Sequence, residues 1–110
     1  MSIRVNDLIR EAWETSDAKG WHNPPHSIGE AIALMHSELS EVLEEYRNGM
    51  PPNSVYERDG KPEGIPIELA DVLIRIGDFC GQHDIDLNEA IRIKLEYNKT
   101  RPHRHGNKKI

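Results

Sequence analysis

Apolar residues recur at helical spacing along most of this chain, and breaks rich in Gly and Pro divide the pattern into four segments. No stretch alternates apolar and polar residues as a half-buried β-strand does. The first predicted helix begins at about Asn6, a favourable N-cap residue, and ends before Gly20. The second begins at a capping box formed by Ser27 and Glu30 and continues to Arg47. The spacing therefore predicts an all-α fold.

Two more helices follow an irregular link over residues 49–65, which is rich in Pro, Gly, Asn and Asp. Pro66 suits the first turn of the third helix, which continues to about His83. Asp86 caps the fourth helix, which continues to about Lys99. We therefore expect a four-helix bundle, with a long loop between the second and third helices and a basic C-terminal arm.

The length of 110 residues fits one domain, residues 1–110, which is small enough that self-association would help to bury its apolar surface. No apolar run approaches the roughly 18 residues of a membrane span, and the first ten residues contain Asp7 and no apolar stretch. Cys80 is the single cysteine, so neither an internal disulfide nor a thiolate zinc cage is expected. Together these features predict a cytoplasmic protein without a membrane partner.

The charge of this chain is divided unevenly between its two ends. Residues 92–110 contain seven Lys and Arg and one Glu, a net of +6, which leaves −11 on residues 1–91. The acidic surface could simply aid solubility, or the two regions could be a cation-binding cluster and an anion-binding arm of one site. Nucleic acid is not the expected partner, because most of the chain is acidic and no helix-turn-helix or aromatic RNA-binding pattern is present.

Two pairs of carboxylates lie at helical spacing. Glu38 and Glu41 are neighbours on a shoulder of the apolar face of the second helix, where on their own they could be solvated surface charges. Glu68 and Asp71 lie in a narrow polar stripe of the third helix, between two apolar zones. A helix that is apolar over most of its surface should be central in a small bundle. We therefore expect the four carboxylates to meet in a cleft or in the interior.

Four carboxylates held together raise one another's pKa, and a divalent cation relieves that conflict. Oxygen ligands without His or Cys favour a hard ion, Mg²⁺, Mn²⁺ or Ca²⁺, over zinc. A di-iron site is disfavoured, since neither Glu38 nor Glu68 is followed by His three residues later. The spacing therefore predicts a site for a hard divalent ion, Mg²⁺, Mn²⁺ or Ca²⁺, whose ligands are Glu38, Glu41, Glu68 and Asp71.

The fourth helix and the tail supply positive charge and hydrogen-bond donors. Lys94 and Asn98 lie one turn apart near the middle of the apolar face of that helix, and Arg101, His105 and Lys108 follow. A single Lys in such a place can extend its ammonium group outward to water. A run of donors beside a metal centre is typical of phosphate binding.

The chain resembles the MazG-like family of all-α nucleoside triphosphate pyrophosphohydrolases in three stretches: HSELSEVLEEYR, PEGIPIELADVLIRIGDF and EAIRIKLEYNKTRPHRHGNK. The family pattern is Glu-x-x-Glu followed, after a variable gap, by Glu-x-x-Asp. The matching residues here are Glu38, Glu41, Glu68 and Asp71, and the resemblance extends from about Lys19 to the C-terminus.

The resemblance implies hydrolysis of a (deoxy)nucleoside triphosphate to the monophosphate and pyrophosphate. It also implies that the ion held by the four carboxylates is Mg²⁺, with Mn²⁺ as an alternative, because the reaction depends on charge neutralisation and positioning. Glu41 is the first candidate for orienting or deprotonating the attacking water, and Glu38 is the second. Ser37 stands where several relatives have a further glutamate, so the identity of the base is open. Lys94, Asn98, Arg101, His105 and Lys108 would hold the triphosphate. Trp21 could stack on the base or plug the core. Members of the family usually assemble as homodimers or homotetramers.

Two other classes of function remain open for such a chain. It could be a non-catalytic helical module that binds a nucleotide or a divalent metal, or a structural bundle that only oligomerises. The thermal stability of a purely structural bundle would not depend on Mg²⁺ or nucleotide.

Overall fold

The computed structural model describes residues 1–102 and is mostly helical, as the spacing predicts. Its elements are α1 (Val5–Ala18), α2 (Ile28–Arg47), β1 (Tyr56–Arg58), β2 (Lys61–Glu63), α3 (Ile65–Gln82) and α4 (Leu87–Thr100). The basic arm beyond residue 102 lies outside the described residues. Within the described part, no helix is both long enough and apolar enough to cross a membrane.

The helix starts follow local hydrogen bonding at their first turns. The capping box of α2 is confirmed, because the Ser27 side chain accepts from the Glu30 N–H and the Glu30 carboxylate accepts from the Ser27 N–H. The prediction that Asn6 caps α1 is wrong. The N-cap is Arg4, whose backbone N–H donates to the Asp7 carboxylate at 3.2 Å, so the helix begins one residue before Asn6.

The link between α2 and α3 contains a β-hairpin that the apolar pattern did not predict. β1 and β2 pair antiparallel, with Tyr56 opposite Glu63. Asp59 and Gly60, both with positive φ, form the two-residue turn. Asp-Gly is a strong hairpin signal because both turn positions need that left-handed conformation. The strands are short and mostly polar, so they leave no alternating apolar pattern, and the turn residues were the available signal.

Gly64 joins the hairpin to α3 at a point where no side chain fits. Its φ is 121°, and a Cβ at this position would collide with the backbone carbonyl oxygen of Ser54. A glycine is therefore required for the hairpin to fold back against the start of α3.

α3 is the central helix, as predicted, and packs against both α1 and α2. Two of its glycines face α1 closely: Gly77 lies against Leu8 and Ala12, and Gly81 lies against Trp13. Because these positions have no Cβ, the two helix backbones can approach each other. α4 makes its main contacts with α1, at the edge of the molecule.

Candidate metal centre

Three of the four predicted metal ligands meet where α2 packs against α3. Glu38 of α2 and Glu68 and Asp71 of α3 each offer a carboxylate oxygen, and the three oxygens lie within 4.8 Å of one another. All three side chains are half-buried. In an octahedral Mg²⁺ site, opposite ligand oxygens are about 4.2 Å apart. The spacing of this group, which we call the acid cluster, is therefore close to that of one coordination sphere.

Burial and repulsion between negative charges make the ionised form of the acid cluster unfavourable. Burial raises the pKa of Glu68 above its usual range, and the charges of Asp71, Glu41 and Glu38 raise it further. Burial also raises the pKa of Asp71, followed by the charge of Glu38. A side-chain hydrogen bond with Glu68 and the charges of Lys61 and Arg75 partly offset these effects. The oxygen-only donors and their crowded negative charge fit a hard divalent cation such as Mg²⁺ or Mn²⁺.

The fourth predicted ligand, Glu41, is exposed and lies outside the group of three converging oxygens. It is nevertheless near the acid cluster, because its charge contributes to the raised pKa of Glu68. Glu41 thus borders the cluster on its solvent side.

A second group of carboxylates shares Glu68 with the acid cluster. Glu45, Glu63 and Glu68 also place one oxygen each within 4.8 Å of one another. Glu45 is buried, and the Tyr56 hydroxyl lies 3.0 and 2.9 Å from its two carboxylate oxygens, to which it donates. That hydrogen bond is the main reason why the pKa of Tyr56 is raised.

Sequence reasoning missed both Glu45 and Glu63 as neighbours of the site. Glu45 follows Glu38 by two helical turns on the same side of α2, which was the available signal for it. Glu63 had no helical signal at all, because the hairpin brings it to α3.

Within a single chain, the predicted phosphate-binding residues of α4 do not lie at the acid cluster. Lys94 and Asn98 are exposed rather than on an inward face, and no residue of α4 is buried. The Lys94 ammonium group lies 4.9 Å from the centre of the Tyr97 ring, and the Arg101 guanidinium lies 5.9 Å from it. His105 and Lys108 lie outside the described residues. The sequence of α4 is amphipathic, but the helix lies at the edge of the molecule, so its apolar face is exposed.

Trp21 lies in the turn after α1 and is 59% exposed, so it does not plug the core. The residue that follows it is anchored instead. His22 contacts the Asp78 carboxylate of α3 at 2.8 Å, and the Ser16 hydroxyl donates to the same carboxylate at 2.9 Å. These contacts hold the turn, with Trp21 on it, beside α3, and sequence reasoning did not find them.

Comparison with protein-family models, with curated proteins and with solved structures finds no match to this chain.

Proposed function

We propose that this protein is a MazG-like nucleoside triphosphate pyrophosphohydrolase, which hydrolyses a (deoxy)nucleoside triphosphate to the monophosphate and pyrophosphate. The single observation that supports it best is the convergence of the Glu38, Glu68 and Asp71 oxygens within 4.8 Å of one another. These residues come from both halves of the Glu-x-x-Glu and Glu-x-x-Asp pattern, 30 or more positions apart in the chain. A role in the housekeeping of nucleotide pools accords with such a reaction.

In the proposed mechanism, the three carboxylates of the acid cluster would hold Mg²⁺ or Mn²⁺. When bound, the ion would supply charge neutralisation at the phosphates and Lewis-acid activation of water. Glu41 accepts the proton of the attacking water, since it is exposed, borders the cluster and is not one of the three converging ligands. Glu38 is the second candidate for this role, and its contact with Arg75 argues for Glu41 first.

The triphosphate would be held by Lys94, Asn98 and Arg101, with His105 and Lys108 of the tail, and Trp21 would stack on the base. Lys94 and Asn98 are exposed, as ligand-binding side chains must be. Because α4 makes its main contacts with α1, we propose that the complete site forms in a homodimer or homotetramer. Large apolar side chains exposed on α2 and α3, among them Leu39, Leu43 and Leu73, support such an assembly.

The decisive experiment measures pyrophosphate release from a panel of ribo- and deoxyribonucleoside triphosphates with Mg²⁺. We expect Glu41→Gln to lower turnover by about 10²-fold or more, which is typical of the loss of a general base. Asp71→Asn should lower it similarly and weaken the dependence on Mg²⁺. The matched control is Glu44→Gln, which removes an exposed carboxylate of α2 that pairs with Arg47 away from the cluster.

Two results would contradict the proposal. Full turnover in both Glu41→Gln and Asp71→Asn would overturn the assigned roles. Tight nucleotide binding by the wild-type protein without pyrophosphate release from any substrate would favour a non-catalytic binding module instead.

A further inference from the structure

A positively charged side chain of the protein itself, Arg75, already contacts the acid cluster. The Arg75 Nε donates to the Glu38 Oε1 at 2.8 Å, across the packing of α2 against α3. Every other Arg or Lys ion pair in residues 1–102 joins side chains three positions apart on one helix. The Arg75–Glu38 pair thus differs from the surface pairs of this molecule, since it links two elements at the candidate site.

The position of Arg75 on α3 places its charge beside two of the three cluster carboxylates. Arg75 follows Asp71 by one helical turn, so the two side chains lie on the same side of α3. Glu38, its direct partner, is the ligand that α2 contributes to the cluster. The guanidinium therefore offsets part of the negative charge that a divalent cation would offset.

The Arg75 side chain also has room to move. It is 41% exposed, and it lines a shallow pocket between α2 and α3, one turn further along α3 than the acid cluster. The same pocket is lined by Gln82, whose side-chain oxygen can accept a hydrogen bond from a guanidinium. It is also lined by Asp78, whose carboxylate already contacts Ser16, His22 and the Gln82 amide but has lone pairs for a further donor. A long flexible side chain can therefore leave Glu38 without losing every polar partner.

We propose that Arg75 is a built-in competitor of the divalent cation: its guanidinium holds Glu38 until the metal takes that carboxylate, and it then turns toward the pocket beside Asp78. This inference rests on the proposed metal centre. Its consequence is that the free protein binds the metal more weakly than its three carboxylates alone would. The positive charge is then released next to the site where phosphates are expected to bind.

The test is direct measurement of Mn²⁺ affinity, by the loss of the electron paramagnetic resonance signal of free Mn²⁺ and by calorimetry, without nucleotide. Arg75→Gln removes the competing charge, so we expect it to bind Mn²⁺ about tenfold more tightly than the wild-type protein, because the repulsion between a guanidinium and a divalent ion is lost. Arg75→Lys keeps the charge and should stay within about threefold of the wild type. Arg92→Gln is the control, since it removes an Arg that pairs with Glu89 on α4.

The outcomes separate this inference from the proposed function. Equal or weaker Mn²⁺ binding by a folded Arg75→Gln variant would overturn the role of Arg75 and leave the metal centre intact. Arg75→Lys binding as tightly as Arg75→Gln would overturn it too, because charge would not be the cause. If neither the wild-type protein nor Arg75→Gln binds Mn²⁺, the metal centre itself is wrong.

A second measurement needs no metal. In the presence of EDTA, Arg75→Gln should melt at a lower temperature than the wild type, because the cluster loses its internal counter-charge. Adding Glu38→Gln to Arg75→Gln should recover part of that loss, whereas a purely additive effect of the two substitutions would contradict the pairing.

Discussion

At the scale of single residues, the charged carboxylates of the acid cluster lower the free energy of unfolding. Burial and the charges of neighbouring carboxylates raise the pKa of both Glu68 and Asp71, so their protonated forms favour the folded state. The stability that they contribute is complete below their ordinary pKa values of 4.5 and 3.8, and it is lost as the pH rises through the higher values of the folded protein.

Because the charged forms of Glu68 and Asp71 destabilise the fold, replacing either residue with its amide should stabilise it. In EDTA at pH 7, Glu68→Gln and Asp71→Asn should each raise the melting temperature by about 2–4 °C, and each should flatten its decline as the pH rises above the ordinary pKa of the replaced residue, 4.5 or 3.8. Added Mg²⁺ should raise the melting temperature of the wild-type protein but not that of Asp71→Asn. Calorimetric melts over a pH series check this, and Glu44→Gln, an exposed carboxylate, should follow the wild type. Lower stability of both variants at pH 7 would mean that the carboxylates stabilise the fold.

The same residues indicate how far a sequence predicts a site. Glu38, Glu68 and Asp71 could be predicted to converge because helical periodicity fixes which side chains share a face, and an apolar helix must be central. The partner of Glu38 could not be predicted, because Arg75 reaches it only through the register of α2 against α3. Periodicity within one helix carries no information on that register.

At the scale of elements, the approach of α3 to α1 depends on small residues. An added Cβ at Gly81 would lie 2.8 Å from the Trp13 Cβ and 3.0 Å from two of its ring atoms, so the side chain or the helix must shift. An added Cβ at Gly29, near the start of α2, meets only the Ser27 hydroxyl oxygen at 3.9 Å. The two glycines therefore form a matched pair for substitution.

We expect Gly81→Ala to lower the free energy of unfolding by about 1–3 kcal/mol, the usual cost of overpacking. Gly29→Ala should leave it unchanged or raise it by up to about 1 kcal/mol, because Ala restricts the unfolded chain. Urea unfolding followed by circular dichroism compares them. If both variants gain stability equally, the helix contact at Gly81 is looser than the geometry indicates.

Elements were predictable to different degrees. All four helices follow from periodicity and caps, and the capping box of Ser27 and Glu30 places the start of α2 correctly. The start of α1 was placed too late, because its capping carboxylate is Asp7 inside the helix rather than a residue at the N-cap. The hairpin was not predicted, because its one sequence signal is the Asp59-Gly60 turn.

At the scale of the whole molecule, a single chain leaves much apolar surface uncovered. Leu39, Leu43, Leu73 and Leu95 are all more than half exposed. The radius of gyration is 16.4 Å, whereas a compact domain of this length has one of about 13 Å. An open arrangement of helices with exposed leucines is typical of a subunit that completes its core against another copy.

The proposed assembly predicts that the wild-type protein sediments as a dimer or tetramer in analytical ultracentrifugation. Leu43→Glu, which puts a charge in the exposed apolar surface of α2, should shift the protein toward the monomer while its helical circular dichroism persists. The matched control is Ile3→Glu, since Ile3 is equally exposed but precedes α1. A monomeric wild-type protein at micromolar concentration would contradict the assembly.

The geometry of the proposed assembly could not be predicted from the sequence. A core of low apolar content favours self-association, but which faces meet depends on the surface that four packed helices leave open. Placing Lys94 and Asn98 on an inward face of α4 assumed that a bundle of one chain would cover that face. α4 packs instead at the edge, against α1.

The carboxylates of α3 also bear on how variants of this protein should be selected. They lie on the central helix, where amides of the same size would relieve repulsion without leaving a void. A screen that rewards survival at high temperature alone will therefore collect Gln and Asn at these positions early, and its most robust clones will be those that have lost the proposed chemistry. Any engineering of heat tolerance in this chain needs activity as a second criterion from the first round.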